Sequence, residues 1–140
     1  MKKASNILFI IGKVLNIIEI AVMPALIAVG IFSLANPEAV YEEAMKNPDN
    51  ELTLEQVVPF GIAFIIAGII ALAVTIALFA IVLKSKKKID NESTNAMPYV
   101  LLVVLGFVTE NIFYFISGIL EFMLKDQREN PKPIDVTPTE

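Results

Sequence analysis

The chain has 140 residues, a formal net charge of −4 and 56% hydrophobic residues, compared with roughly 45–50% apolar residues in a typical soluble domain. It contains no cysteine and no histidine, which excludes thiol nucleophiles, disulfides, imidazole bases and the usual zinc or haem ligation. The negative charge gives no electrostatic support to nucleic-acid binding. We therefore predict no catalytic site, no cofactor, no metal and no nucleic-acid partner.

The apolar residues are concentrated in three long stretches, and the mean hydropathy of the whole chain is +0.68. The stretches cover residues 7–34, 57–83 and 98–124. A helix needs roughly 20 apolar residues to cross a hydrocarbon core about 30 Å thick, so each stretch is long enough. The sequence predicts an all-α fold, an integral membrane bundle of about three transmembrane helices in one domain over residues 1–126, with the lipid bilayer as its first partner.

Lysine placement predicts the orientation of these spans, because cytoplasmic loops carry an excess of Lys and Arg. Lys2 and Lys3 precede the first stretch, and four lysines lie in residues 84–88 directly after the second. The segment between the two stretches, residues 36–56, is acidic and holds only Lys46 as a cation. We predict a bacterial cytoplasmic membrane, a cytoplasmic N-terminus, an outer acidic loop at 36–56 and a cytoplasmic Lys-rich turn at 84–97.

The third stretch leaves two topologies open. A single crossing places the C-terminus outside, which is the preferred expectation. A re-entrant hairpin that turns back near residues 109–111 would instead leave the tail in the cytoplasm, since two full crossings do not fit in about 27 residues. Residues 127–140 contain three prolines and mixed charge, which predicts a disordered polar tail.

Local signals predict the elements of the acidic loop. Asn36 can cap a short helix whose first residue is Pro37, and that helix should end before Pro48. Thr53 and Gln56 have the spacing of a capping box, which predicts that the second long helix begins at Leu54.

The order of these segments resembles a known family. The motifs that carry the likeness are Asn36-Pro37-Glu38, Asn47-Pro48-Asp49, an Ala/Gly-rich second span, Lys84-Ser85-Lys86-Lys87-Lys88, and Ile116-Ser117-Gly118-Ile119-Leu120. Over most of residues 1–124 the chain is similar to a family of small multi-span membrane proteins of unknown function, common in Gram-positive bacteria. The resemblance implies a membrane location and no catalytic residues. Members often have four spans and a longer Gly-rich C-terminal half, from which this chain departs.

Small residues recur at helical spacing in all three stretches. Helices in lipid associate by close packing and polar contacts, so such stripes are expected to face the bundle interior. The predicted packing positions are Gly12, Gly30, Gly61, Gly68, Ala71, Gly106 and Gly118.

Two carboxylates lie near the middle of apolar stretches, Glu19 in the first and Glu110 in the third. A charged side chain at the bilayer centre costs roughly 3 kcal/mol on insertion scales, and no arginine is placed to compensate either one. We expect at least one of them to be protonated at pH 7 and hydrogen bonded within the bundle. The candidate intramembrane polar site comprises Glu19, Glu110, Tyr114, Asn16 and Asn111.

Three functional hypotheses follow. The leading one is a non-enzymatic membrane protein that acts by helix–helix association, with itself or a membrane partner, as an accessory, envelope or immunity-type protein. The second is a subunit of an oligomeric proton or cation transporter or channel that uses the mid-membrane carboxylates. The third is a holin-like protein that permeabilises membranes as it accumulates.

Overall fold

The computed structural model describes residues 1–47 and 49–130, and these residues form five α-helices. In chain order the helices are α1 (Lys2–Ala35), α2 (Pro37–Ala44), α3 (Leu54–Asp90), α4 (Met97–Val108) and α5 (Ile112–Glu129). The expectation of an all-α fold is confirmed.

The helices divide between two compact units. Unit 1 contains Met1–Leu15 and the described part of Ala80–Glu140, and unit 2 contains Asn16–Phe79. Unit 1 therefore holds the start of α1, the end of α3, and all of α4 and α5. Unit 2 holds the remainder of α1 and α3 together with α2.

Helices α1 and α3 are long and apolar enough to cross a membrane. Their 34 and 37 residues correspond to about 51 and 56 Å of helix at 1.5 Å per residue. In the most apolar 18-residue window of each helix, only 11% of the residues are buried within the chain. Large apolar side chains on both helices are therefore exposed, including Val22, Ile31, Ile66 and Ile70.

The third apolar stretch, expected over residues 98–124, is two helices separated at residues 109–111, where the re-entrant alternative placed its turn. Helix α4 ends at Val108, where the hydroxyl of Thr109 donates a 2.7 Å hydrogen bond to the carbonyl of Leu105. Glu110 then adopts φ 53°, a left-handed conformation that cannot continue a right-handed helix. The side chain of Asn111 starts α5 by accepting a hydrogen bond from the amide of Tyr114. Among the described residues, two helices are therefore long enough to span a membrane, compared with the three expected.

Glycine allows α4 and α5 to approach each other closely. A Cβ atom added at Gly106 would lie 2.3 Å from the backbone nitrogen of Phe115, and one added at Gly118 would lie 2.8 Å from that of Val103. These distances are shorter than any normal carbon contact, so the two backbones meet where side chains are absent. The two helices form a tightly packed hairpin with its turn at residues 109–111.

Helix α5 runs antiparallel to the first turns of α1 within unit 1. Ser5 is hydrogen bonded to Ser117, and the ring of Phe9 lies 5.2 Å from that of Tyr114. One further turn along α1, the carbonyl of Gly12 accepts a 3.1 Å hydrogen bond from the side chain of Asn111. The C-terminal end of α5 therefore lies beside the N-terminal end of α1.

The short helix of the acidic loop is present as predicted, with Pro37 as its first residue, although Asn36 makes no side-chain capping bond. Helix α3 begins at Leu54 as predicted, and the Thr53 amide donates a 2.9 Å hydrogen bond to the side chain of Gln56.

Two further boundaries differ from expectation. The Lys-rich segment is helical as far as Asp90, so the turn expected over 84–97 is confined to residues 91–96. Of the tail expected to be disordered, residues 127–129 belong to α5 and residues 131–140 lie outside the described part of the chain.

Candidate functional site

The most concentrated group of polar side chains in unit 1 surrounds Lys86, near the end of α3. Its Nζ donates hydrogen bonds to Glu121 Oε1 at 2.8 Å, to Asp90 Oδ1 at 2.8 Å and to Asn6 Oδ1 at 2.7 Å. The Lys86 side chain is only 8% exposed. All three donor positions of the ammonium group therefore have acceptors, as a buried charge requires.

Glu121, on α5, is the buried counterion. Its side chain is 2% exposed, and Oε1 accepts a second hydrogen bond from the hydroxyl of Ser5 at 2.8 Å. The hydroxyl of Ser117, one turn earlier on α5, lies 2.9 Å from that of Ser5 and also contacts the Ser5 carbonyl at 3.1 Å. Ser5 and Ser117 are fully buried. These bonds link α1, α3 and α5 through side chains rather than through apolar packing alone.

Aromatic rings close one side of this cluster. The Nζ of Lys86 lies 5.7 Å from the centre of the Phe9 ring, within the range of a cation–π contact. Phe9 and Tyr114 are both buried. On the other side Asp90 is 48% exposed, so the ion pair has one partner that reaches the surface. We refer to Ser5, Asn6, Lys86, Asp90, Ser117 and Glu121 as the polar clasp.

The chemistry available to the polar clasp follows from its burial. In a low-dielectric interior, an ion pair with satisfied hydrogen bonds fixes the relative positions of the elements that carry it. The hydroxyl of Ser5 is fully buried and engaged with Ser117 and Glu121, so it is not open to a substrate. The arrangement is suited to holding three helices in one register.

The residues of the predicted intramembrane site occupy separate environments. Glu110 is exposed at the turn between α4 and α5. Asn111 caps α5, and Tyr114 is fully buried against Phe9 in unit 1. In unit 2, Glu19 is exposed and accepts a 3.1 Å hydrogen bond from Asn16, which is buried. Glu110 therefore lies on a helical turn and not in the middle of a helix.

The predicted packing positions lie at close helix contacts, apart from Ala71, which is partly exposed. In unit 2, a Cβ on Gly30 would lie 2.6 Å from the carbonyl of Gly61, and one on Gly68 would lie 2.7 Å from the side chain of Ile27. In unit 1, a Cβ on Gly12 would lie 2.8 Å from the Tyr114 ring. Gly106 and Gly118 lie in the α4–α5 hairpin described above.

Sequence reasoning did not predict the polar clasp. Lys86 was not distinguished from its three neighbouring lysines, and Glu121 was not among the predicted site residues. A signal was available, because Lys86 shares a helical face with the buried side chains of Val82 and Ile89 at i−4 and i+3. A lysine on an otherwise apolar face requires a buried acid, and Glu121 lies on the small and polar stripe of α5.

Comparison with known proteins adds no assignment. No protein-family model, no curated protein and no solved structure matches the chain. Within residues 1–47 and 49–130, no three acidic side chains come together in a way that could hold a metal ion.

Proposed function

We propose that the chain is an integral membrane protein without catalytic activity that acts by lateral association of its long apolar helices, with a second copy or with another membrane protein. Its role would be of the accessory, envelope or immunity type. Helices α1 and α3 would cross the bilayer, and the α4–α5 hairpin would be held against the same end of α1 and α3 by the polar clasp.

Exposed apolar surface supports the membrane location. The side chains of α1 and α3 that would lie in hydrocarbon are mostly unburied by the chain itself. Soluble proteins rarely expose continuous apolar patches larger than a few hundred Å², whereas lipid or a partner helix covers such surfaces at no cost.

The position of Glu19 is the single observation that favours association over a monomer in lipid. Glu19 lies at the midpoint of α1, with 17 residues of the helix before it and 16 after it. Its side chain is exposed, and within residues 1–47 and 49–130 its one hydrogen-bond partner is Asn16, one turn away on the same helix. A carboxyl group facing lipid at this depth is costly, and a partner helix that hydrogen bonds to it removes that cost.

The hairpin changes the expected position of the C-terminus. Because α5 returns to the N-terminal end of α1, and Arg128 lies 3.3 Å from Glu92, the start of α1, the end of α5 and the lysines of residues 84–88 belong on one side. By the lysine rule that side is the cytoplasm. The sequence favoured a C-terminus on the outer side of the membrane. The proposed topology places the end of α5 on the cytoplasmic side instead.

Cysteine crosslinking tests the association, since the chain has no native cysteine to interfere. Single variants Val22→Cys and Leu26→Cys place a thiol on the Glu19 face of α1, and Ile17→Cys places one on roughly the opposite face, at 100° per residue. All three positions are exposed. With a short bifunctional thiol reagent in native membranes, we expect crosslinks from positions 22 and 26 and few from position 17.

A second measurement uses Glu19 itself. Glu19→Leu should lower the associated fraction severalfold in fluorescence energy transfer between labelled copies or partners, and Glu19→Gln should retain it because the amide still forms hydrogen bonds. Ile18→Ala, an exposed neighbour, is the matched control. A monomer in bilayers at every protein-to-lipid ratio, with no crosslinked partner, would contradict the proposal.

The transporter and holin hypotheses remain alternatives with less support. The transporter hypothesis relied on Glu19 and Glu110 lying at mid-membrane in a shared polar site, and Glu110 lies at an exposed turn. Vesicle flux measured with a pH-sensitive dye tests the first of these, and lysis on overexpression tests the second.

A further inference from the structure

A basic groove lies in unit 1 between the end of α3, the turn at residues 91–96 and the start of α4. Its volume is about 670 Å³, within the range of small-molecule binding sites. Lys84, Lys87 and Lys88 line it together with Asn91, Ser93 and Asn95, and none of the carboxylates that the structure describes belongs to its lining. The groove therefore concentrates three positive charges beside neutral polar groups.

Unlike Lys86, these three lysines have no counterion within the part of the chain that the structure describes. Lys86 is directed into the polar clasp and neutralised by Glu121 and Asp90. Among the residues the structure describes, Lys84, Lys87 and Lys88 form no ion pair, and all three are exposed. Because successive residues of α3 point in different directions, Lys86 is buried in the polar clasp, whereas the other three lysines remain available to an anion.

The polar side of the groove is ordered by its own hydrogen bonds. The side chain of Asn95 accepts a 2.9 Å hydrogen bond from the amide of Met97, and the carbonyl of Ser93 accepts one of 3.1 Å from the hydroxyl of Tyr99, which is fully buried. The turn is therefore held in place without a ligand, which lowers the entropic cost of binding one.

Apolar side chains also line the groove. They include Ile81 on α3 and Met97 and Leu101 on α4. Lys84 directly follows the apolar run of residues 57–83, so a membrane-spanning α3 places the lysines at the depth of the lipid headgroups and Ile81 at the edge of the acyl chains. A free inorganic anion has no apolar part to place against these side chains, whereas the acyl chain of an amphiphile can pack against them.

We propose that the basic groove binds one anionic phospholipid, with the headgroup phosphate between Lys84, Lys87 and Lys88 and the first part of an acyl chain against Ile81, Met97 and Leu101. This inference rests on the proposed membrane location. A bound lipid at this point would bridge α3 and α4 and stabilise the hairpin against the cytoplasmic leaflet.

The test uses the purified full-length protein in detergent micelles, where sidedness of insertion does not matter. Phosphatidylglycerol and phosphatidylcholine with identical acyl chains are added in equal amounts, and the lipids retained on the intact protein are counted by mass spectrometry. The variant Lys84→Gln/Lys87→Gln/Lys88→Gln removes the cationic side of the groove. The variant Lys2→Gln/Lys3→Gln/Lys13→Gln removes the same charge from positions outside the groove lining.

We expect the wild-type protein and the control variant to retain a single phosphatidylglycerol with at least about tenfold preference over phosphatidylcholine, since lysines at the membrane surface attract an anionic headgroup. The groove variant should lose this preference. An equal loss of the phosphatidylglycerol preference in both variants would show that the lipid is attracted by the overall positive charge, and it would overturn the proposed site. Full displacement of the bound phosphatidylglycerol by millimolar inorganic phosphate or glycerol phosphate would contradict the assignment of a lipid and indicate that the groove binds a free anion.

A photoactivatable phosphatidylglycerol on the wild-type protein gives a measurement that does not depend on the variant folding. Its acyl-chain label should attach to the segment that contains Met97 and Leu101, and attachment spread evenly over α1 and α3 would contradict the assignment. Alkaline carbonate extraction separates the two proposals. A chain released as soluble protein refutes the membrane location, whereas a chain that stays in membranes and shows no lipid preference refutes only the groove.

Discussion

The Nζ of Lys86 lies 2.8 Å from Oε1 of Glu121, and the two side chains are 8% and 2% exposed. They come from α3 and α5, so one buried ion pair joins the end of a long apolar helix to the last helix of the hairpin. A buried pair of this kind is not strongly stabilising compared with apolar residues, but removing one partner leaves an uncompensated charge.

Lys86→Met should therefore destabilise unit 1 by about 3–5 kcal/mol, because Glu121 keeps only the hydroxyl of Ser5 as a partner. Glu121→Gln should cost less, about 1–2 kcal/mol, since the amide oxygen still accepts from Lys86, which also retains Asp90 and Asn6. Reversible unfolding in mixed detergent micelles measures both values.

Two comparisons make this prediction specific. The double variant Lys86→Met/Glu121→Leu should be more stable than Lys86→Met alone, because no unpaired charge remains. Lys46→Met breaks the exposed pair with Glu43 and should change stability by less than about 1 kcal/mol. Equal effects of Lys86→Met and Lys46→Met would mean that the polar clasp does not hold the helices.

Gly106 determines how closely the hairpin packs. Gly106→Ala places a Cβ 2.3 Å from the backbone nitrogen of Phe115, and a backbone atom cannot rotate away as a side chain can. The helices must separate, which we expect to cost at least about 3 kcal/mol, the upper end of overpacking effects. Val108→Ala, at an exposed site on the same helix, should be nearly neutral in the same unfolding measurement.

The conformation of Glu110, rather than its charge, should decide which substitutions the turn tolerates. Its φ of 53° costs a non-glycine residue about 1–2 kcal/mol, so Glu110→Gly should stabilise the hairpin by up to about that amount. Glu110→Val should destabilise it, because β-branched residues avoid this region. Glu110→Gln should have little effect on stability; a large loss would indicate a buried role for the carboxyl group, which is exposed in the structure.

The elements that the sequence predicted correctly depend on local chemistry. Helix α3 begins at Leu54, where the side chain of Gln56 accepts a hydrogen bond from the Thr53 amide, and Pro37 begins α2. The break in the third apolar stretch was only one of two options at residues 109–111, because composition alone does not distinguish a long span from a tight hairpin. The choice depends on the contact of Gly106 with Phe115, which is a tertiary feature.

The polar clasp could not be predicted from local sequence because it also depends on tertiary contacts. Four lysines in residues 84–88 have equivalent local sequence, and a solvated cluster is the common outcome. Lys86 is distinguished only when α3 continues as a helix through Asp90 and α5 folds back to bring Glu121 to it. Pairing residues 35 positions apart depends on the hairpin. Because the sequence left the third stretch open between a crossing and a hairpin, it did not predict the pair either.

The hairpin leads to a prediction about sidedness that needs no knowledge of a partner. Asn130→Cys and Thr94→Cys should be labelled by a membrane-impermeant thiol reagent from the same side of the membrane, and Lys46→Cys only from the other side. The reason is that α5 returns to the N-terminal end of α1, whereas α1 is about 51 Å long and, in the proposed topology, would carry the acidic loop to the other side of the bilayer. The chain has no native cysteine, so each signal has one source. Labelling of positions 94 and 130 from opposite sides would show that α4 and α5 separate to form a crossing segment. The polar clasp would then not form in the membrane-inserted protein.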